Sequence, residues 1–168
     1  MTQSNQRLTH LVLAKEYMKF SAAHFTIFSA TERERLHGHN FQMSLELILP
    51  VGDDGLSHSY RLFKDKAKAL CETLDEYCLL PHLSPFLHIE QLENEYHVKF
   101  HDEILHFPIS DTLLLPIRNT SVEEFSFYLL EQIMKALPPT EYGIEHITVS
   151  VSSGAGQSGS SSWKQEGQ

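Results

Sequence analysis

The sequence predicts an α+β domain, antiparallel strands carrying two helices, and three patterns predict it. Phe41, Met43, Leu45, Leu47 and Leu49 alternate with Gln42, Ser44 and Glu46, as a strand with one buried face must when successive side chains point to opposite sides. Phe63, Ala67, Leu70 and Leu74 recur at helical spacing, with Lys64, Asp65, Lys68 and Glu72 turned outward. A second helical stripe, Val122, Phe125, Leu129 and Ile133, is flanked by Phe127, Leu130 and Met134, so that helix is buried broadly. At 168 residues the length favours one domain around a single sizeable core. Residues 1–153 are expected to form it, and the Gly- and Ser-rich piece at 154–168, which holds Trp163, reads as a flexible tail.

Taken in order, the loose polar start MTQSNQR precedes Leu8 to Phe20, where apolar, β-branched and aromatic residues mix with single polar ones as in a long half-buried strand. The run ends at His24. Ser29 to Arg35 reads as a solvated turn, and Leu36 to Leu49 returns as the second strand of an antiparallel hairpin. Pro50 and Gly52-Asp53-Asp54-Gly55 break that strand, and Pro81 ends the region of the first helix. Between Phe86 and Phe107 the alternating runs Tyr96 to Phe100 and Ile104 to Phe107 read as an inserted hairpin. Its histidines, His88, His97, His101 and His106, share no compact ligand pattern and read as surface or edge residues. Thr120 or Ser121 caps the second helix, Glu123 and Glu124 place negative charge in its first turn, and Pro138-Pro139 stops it. Ile144 to Val151 reads as the closing strand.

Composition narrows the function classes. With 41% hydrophobic and 21% charged residues the chain has the make-up of an ordinary soluble globular protein. No apolar run approaches the roughly 20 residues that cross a bilayer, and MTQSNQR lacks the hydrophobic stretch of a secretory signal, so no membrane partner and a cytoplasmic location are expected. A net charge of -9 with scattered Lys and Arg argues against a nucleic-acid footprint and for a small-molecule ligand or protein partners. Cys71 and Cys78 are too few for a disulfide scaffold and form no CxxC motif; both read as reduced thiols, Cys71 in the core.

The stretch that carries chemistry is Phe20 to Phe41, FSAAHFTIFSATERERLHGHNF. His37 and His39 project from one face of an extended strand, and Gly38 between them leaves the backbone free to pack closely. The hairpin can bring His24 opposite them. Three imidazoles suit zinc, and three protein ligands with a fourth position left open is the pattern of a catalytic site, which points to Lewis-acid or proton-transfer work.

FSAAH followed by RLHGHNF resembles the signature of the 6-pyruvoyl tetrahydropterin synthase family, which also contains the 6-carboxytetrahydropterin synthases of deazapurine biosynthesis. Other blocks match in order. Tyr60-Arg61-Leu62-Phe63-Lys64 is similar to the start of the family's first helix, and Leu74-Asp75-Glu76-Tyr77-Cys78-Leu79-Leu80-Pro81 to its LDH-x-x-LLP segment. Leu114-Leu115-Pro116-Ile117-Arg118-Asn119-Thr120-Ser121-Val122-Glu123-Glu124 is similar to the turn that opens its second helix, and the likeness runs from about Met18 to about Ser153. The resemblance implies a T-fold: an antiparallel sheet with two helices on one face, trimers closing the sheets into a barrel, and trimers stacking as hexamers. It further implies active sites between subunits, a pterin-like substrate, and zinc held by three histidines, which fall on His24, His37 and His39.

Family synthases act on dihydroneopterin triphosphate with a cysteine thiolate as base, an Asp-His pair in support, and a glutamate on the last strand that grips the pterin's guanidine-like edge. Arg33 stands at the cysteine position. Glu34, however, completes Glu34-Arg35-Leu36-His37-Gly38-His39, which resembles the ExxHGH variant associated with cleaving dihydroneopterin to 6-hydroxymethyl-dihydropterin. Partial burial would raise the Glu34 pKa toward that of a useful base. Asp75 matches the supporting aspartate, Glu76 replaces its histidine, and Ser153 stands where the pterin-holding glutamate is expected. The candidates implied are therefore Glu34, Asp75 and Glu76 for catalysis and Thr120, Ser121 and Ser153 for substrate, with Glu123, Glu124 or backbone groups near Thr120 as replacements for the lost carboxylate. Three readings stay open: a zinc-dependent lyase or synthase on a pterin, a member of the family with a changed substrate, and a non-catalytic T-fold subunit.

Overall fold

Strand β3 (His37–Pro50), fourteen residues long, is the spine of the fold. The computed structural model describes residues 7–166; the polar start at residues 1–6 and the last two residues of the expected tail lie outside the described residues. Alternation along β3 turns Phe41, Met43, Leu45, Leu47 and Leu49 to one face, and all five are buried. The other edge-to-edge partners follow from its length. β2 (Lys19–His24) pairs with its N-terminal half and β1 (Leu8–Leu13) with its C-terminal half, both antiparallel and along the same edge. The single strand expected from Leu8 to Phe20 is thus two. The side-chain amide of Gln42 donates to the carbonyls of Lys15 and Met18 at 2.8 and 2.9 Å, which satisfies the backbone where the chain breaks.

The opposite edge of β3 takes β9 (His146–Gly154), and β9 takes β10 (Gln157–Lys164), again antiparallel. Beyond β2 the sheet continues through β4 (Tyr77–Pro81) and β8 (Thr112–Leu115), both in parallel. The sheet is therefore mixed, not wholly antiparallel. Helix α1 (Tyr60–Glu72) carries the chain from β3 across to β4, so the parallel neighbours β2 and β4 are joined through β3 and α1. Helix α2 (Val122–Ala136) lies beside it. Phe63, Ala67 and Cys71 of α1 and Phe125, Leu129 and Ile133 of α2 share one core with the inward residues of β3 and β9. Ser121 caps α2, accepting from the Glu124 N–H at 3.4 Å, and α3 (Pro139–Tyr142) follows it. Among the described residues no helix is long and apolar enough to cross a membrane.

The inserted hairpin is a three-stranded meander, β5 (His88–Leu92), β6 (Glu95–Phe100) and β7 (Glu103–Pro108). Its first strand is mostly exposed, so it carries little apolar alternation to reveal it. Val98, Phe100 and Phe107 turn inward and form a second small core with Phe25, Ile27 and Leu80.

The expected flexible tail is the larger correction, because β10 is a full member of the sheet and the folded unit runs on past residue 153. Gly156, at φ 84, turns the chain back. On one face Ser160 and Ser162 bond Ser150 and Thr148 at 2.7 and 2.8 Å; on the other, Ser161 Oγ lies 2.6 Å from Ser126 Oγ of α2, and Trp163 packs against the main core. The small residues serve close approach. A Cβ on Gly159 would stand 2.9 Å from the backbone of Val122 and Glu123. Gly159→Ala is accordingly expected to lose about 1–3 kcal/mol of stability by overpacking, read as a lower denaturant midpoint. An unchanged midpoint would show that α2 yields without penalty.

Candidate active site

The β2–β3 register sets His24 opposite His37 and Ala22 opposite His39, so three imidazoles meet at one end of the hairpin. Ring centroids are 4.7 Å apart for His24–His37, 5.2 Å for His24–His39 and 4.8 Å for His37–His39. One nitrogen from each lies within 4.8 Å of the others. Gly38 is not forced by a close neighbour, since a Cβ there would meet Ala22 O at an ordinary 3.8 Å. The close backbone packing expected at that glycine is absent.

Backbone carbonyls orient two of the rings. His24 Nδ1 lies 2.9 Å from the carbonyl oxygen of Thr120, and His37 Nδ1 lies 2.8 Å from that of Arg35. A carbonyl only accepts, so each Nδ1 is the protonated donor and each Nε2 keeps its lone pair. For His24 that Nε2 is buried and has no hydrogen-bond partner. Burial is also the main reason its pKa is pulled down to about 4, against the raising effect of the Thr120 carbonyl and with a further lowering from His37 and His39. The ring is neutral near neutral pH. A buried lone pair aimed at two other imidazoles fits a divalent metal ion of the kind imidazole prefers.

Glu34 is delivered by a tight turn. Ile27 and Arg33 form a β-bridge, and Glu34 N–H donates to Thr26 O at 2.8 Å. The Glu34 carboxylate accepts from Thr26 N–H at 2.9 Å and stands 3.9 Å from His37 Nε2. Burial pushes its pKa up, as expected, but the Thr26 hydrogen bonds and the imidazoles outweigh it, and the carboxyl ends below its usual range. It is an ionised acceptor. The rest of the loop is less solvated than its charges suggest. Arg33 lies 5.0 and 5.7 Å from the ring centroids of Phe25 and Phe100, and its guanidinium donates to Glu34 O at 2.9 Å and to Glu103 at 2.6 Å. Arg33 is thus a clamp that ties Glu34 to the insert.

His24, His39 and Glu34 share a cavity of about 250 Å³ with Thr120, Ser121, Ser153 and Glu123. Thr120 is fully buried; its hydroxyl donates to Phe25 O at 2.7 Å and its carbonyl holds the His24 ring. Glu124 accepts from Arg118 N–H at 2.7 Å and is engaged there. Asp75 and Glu76 stand elsewhere. Asp75 accepts from Ser21 N–H and the Glu76 N–H donates to Ser21 O, each at 2.7 Å, while Glu76 lines a second, open depression with Ser21, Asn40 and Cys78 that meets the first cavity at His39. Burial raises the Cys71 thiol to about 12, with Asp75 and Glu72 adding to it, and raises Cys78 to about 11; neither is a thiolate. Two contributors carry no sequence signal: Thr26, and Asn119, whose amide bonds both Ile27 N–H and Ile27 O at 3.0 and 2.8 Å.

A family model described as 6-pyruvoyl tetrahydropterin synthase matches residues 13–158. A Methanocaldococcus jannaschii protein provisionally named as a 6-carboxy-5,6,7,8-tetrahydropterin synthase is 27% identical over 142 residues, covering 83% of this chain and 86% of its own. Plasmodium vivax 6-pyruvoyltetrahydropterin synthase, solved with a glutamate described as a catalytic residue changed to alanine, matches with a TM-score of 0.90 at 28% identity over 95% of this chain and 99% of that one. The Plasmodium falciparum 6-pyruvoyl tetrahydropterin synthase matches with a TM-score of 0.89 at 30% identity over 96% and 100%. A signature on two paired strands, an α+β T-fold shared almost end to end and a family match across most of the sequence agree, and the chain belongs to the 6-pyruvoyl tetrahydropterin synthase family.

Proposed function

We propose that this chain is a zinc-dependent lyase that acts on dihydroneopterin or its triphosphate, with Glu34 as the base. The observation that carries the reading is the ionised Glu34 carboxylate 3.9 Å from His37 Nε2, beside two more imidazoles and with no thiolate available. The Plasmodium vivax relative, in which a glutamate is described as a catalytic residue, supports it. His24, His37 and His39 would hold zinc, which supplies Lewis-acid polarisation of a substrate oxygen when bound. Glu34 takes up a proton from the substrate side chain, held in place by Thr26 and by the Arg33 clamp. Thr120 fixes the His24 ring through its carbonyl.

Glu123 replaces the carboxylate missing at Ser153, since it turns to the same cavity while Glu124 is engaged by Arg118. A carboxylate gives the guanidine-like edge of a pterin a bidentate, charge-assisted contact that serine lacks. Asp75 and Glu76, outside that cavity, would serve the site of a neighbouring subunit in a homotrimer or hexamer, in a cytoplasmic enzyme. The deciding experiment incubates the purified zinc-loaded chain with dihydroneopterin and with its triphosphate. Formation of a pterin cleavage or elimination product is expected, and Glu123→Gln should raise KM about tenfold with a smaller effect on kcat. If the wild type neither binds nor converts either compound, the reading fails, and a changed substrate, favoured by the serine at position 153, takes its place.

A further inference from the structure

A second group of ligating side chains lies on the meander, well apart in sequence from the first. Along β6 Tyr96, Val98 and Phe100 turn toward the small core and Glu95 and His97 turn out; along β7 Leu105 and Phe107 turn in and His106 turns out. His101, at φ 50, closes the two-residue turn between the strands and fixes their register, which sets His97 opposite His106. The expectation that these histidines share no ligand pattern is corrected by that pairing. Nine positions separate them in the chain, and only the turn brings them face to face.

The His97 and His106 ring centroids are 4.2 Å apart. Glu95, two residues before His97 on the same face, places one carboxylate oxygen 3.3 Å from His97 Nε2 and 3.2 Å from His106 Nδ1. One ligand atom from each of the three lies within 4.8 Å of the others. Glu90, opposite His97 on β5, is engaged by His88 at 2.8 Å. Ligands about 2.0–2.2 Å from a common zinc ion at tetrahedral angles stand roughly 3.3–3.5 Å from one another. Both carboxylate–imidazole distances are already close to that.

We propose that Glu95, His97 and His106 form a second metal site, of the two-imidazole, one-carboxylate class that takes Zn(II). An ion there replaces the two hydrogen bonds to Glu95 and staples β6 to β7. Those strands carry Phe100 and Glu103, which hold Arg33 beside Glu34, so occupancy stiffens the insert against the catalytic loop.

The test is a Zn(II) titration of the full chain against a chromophoric chelator. The wild type should take up about two ions, the weaker of them removed by His97→Asn with His106→Asn and the tighter by His37→Ala with His39→Ala. Neither ring enters the small core, His106 being exposed and His97 half-buried, so the Asn pair should stay folded, as its thermal melt will show; Glu95→Gln is the second variant and should weaken the same ion alone. Uptake of about one ion by the wild type, all of it lost in the His37→Ala, His39→Ala variant, would overturn the proposal. So would a weaker ion that survives both the Asn pair and Glu95→Gln.

Discussion

Replacing Glu34 with Gln is expected to lower kcat on a dihydroneopterin substrate by about 10²–10⁴-fold, the usual contribution of a positioned general base, and to leave the zinc content unchanged. Gln keeps the size of the side chain and an oxygen to accept from Thr26 N–H, so the turn and the neighbouring His37 stay in place. What it loses is the site that takes a proton. The other carboxylate of the cavity, Glu123, is the one assigned to the pterin edge, and the remaining candidates are placed or held otherwise. Cys71 and Cys78 are held protonated by burial, Arg33 is only a donor and is clamped by Glu103, and Asp75 and Glu76 are held around Ser21 outside the Glu34 cavity. KM should therefore move little while kcat collapses, the pattern of a group that acts in the transition state. Turnover at the wild-type rate would remove Glu34 from the mechanism.

The joint change His37→Ala and His39→Ala is expected to abolish the tight zinc ion and with it all turnover. Losing a residue that merely orients a ligand costs about 10–100-fold in metal affinity, so losing two of three ligands costs far more. These two are the informative positions because both rings are half-buried, and trimming them leaves little void in the core. His24 is a poorer choice. It is 4% exposed, in contact with Phe41 and Phe125 and bonded to Thr120, so its removal would disturb the packing as well as the ligand set. Metal analysis of the double variant at neutral pH, beside its thermal melt, separates the two effects. Tight zinc that persists in a folded double variant would show that the ligand set is wrong.

Much of this molecule is legible residue by residue. The alternation of β3, the stripes of α1 and α2, the Ser121 cap and the His37-Gly38-His39 triplet are local patterns, and each follows from the period of its own element. Less was legible where small or polar residues pack tightly. The serines and Gly159 of β10 look like a linker, yet they fit under the N-terminus of α2 because they are small. Arg33 looks like a solvated charge, yet two aromatic rings and Glu103 enclose it.

By itself, then, the sequence determined the helices, the spine strand, the family and the candidate ligands, since faces and motifs are set by neighbours a few positions apart. Only the tertiary structure decided which strands lie side by side. That choice split the first strand at residues 14–18, added β4 and β8 in parallel, and put Glu34 and Glu123 in one cavity while leaving Asp75 and Glu76 outside it. It also brought His97 to His106. The physical reason is the same throughout: register is a long-range property, fixed by turns and by the burial of a whole face, and a run of residues does not carry its partner's address.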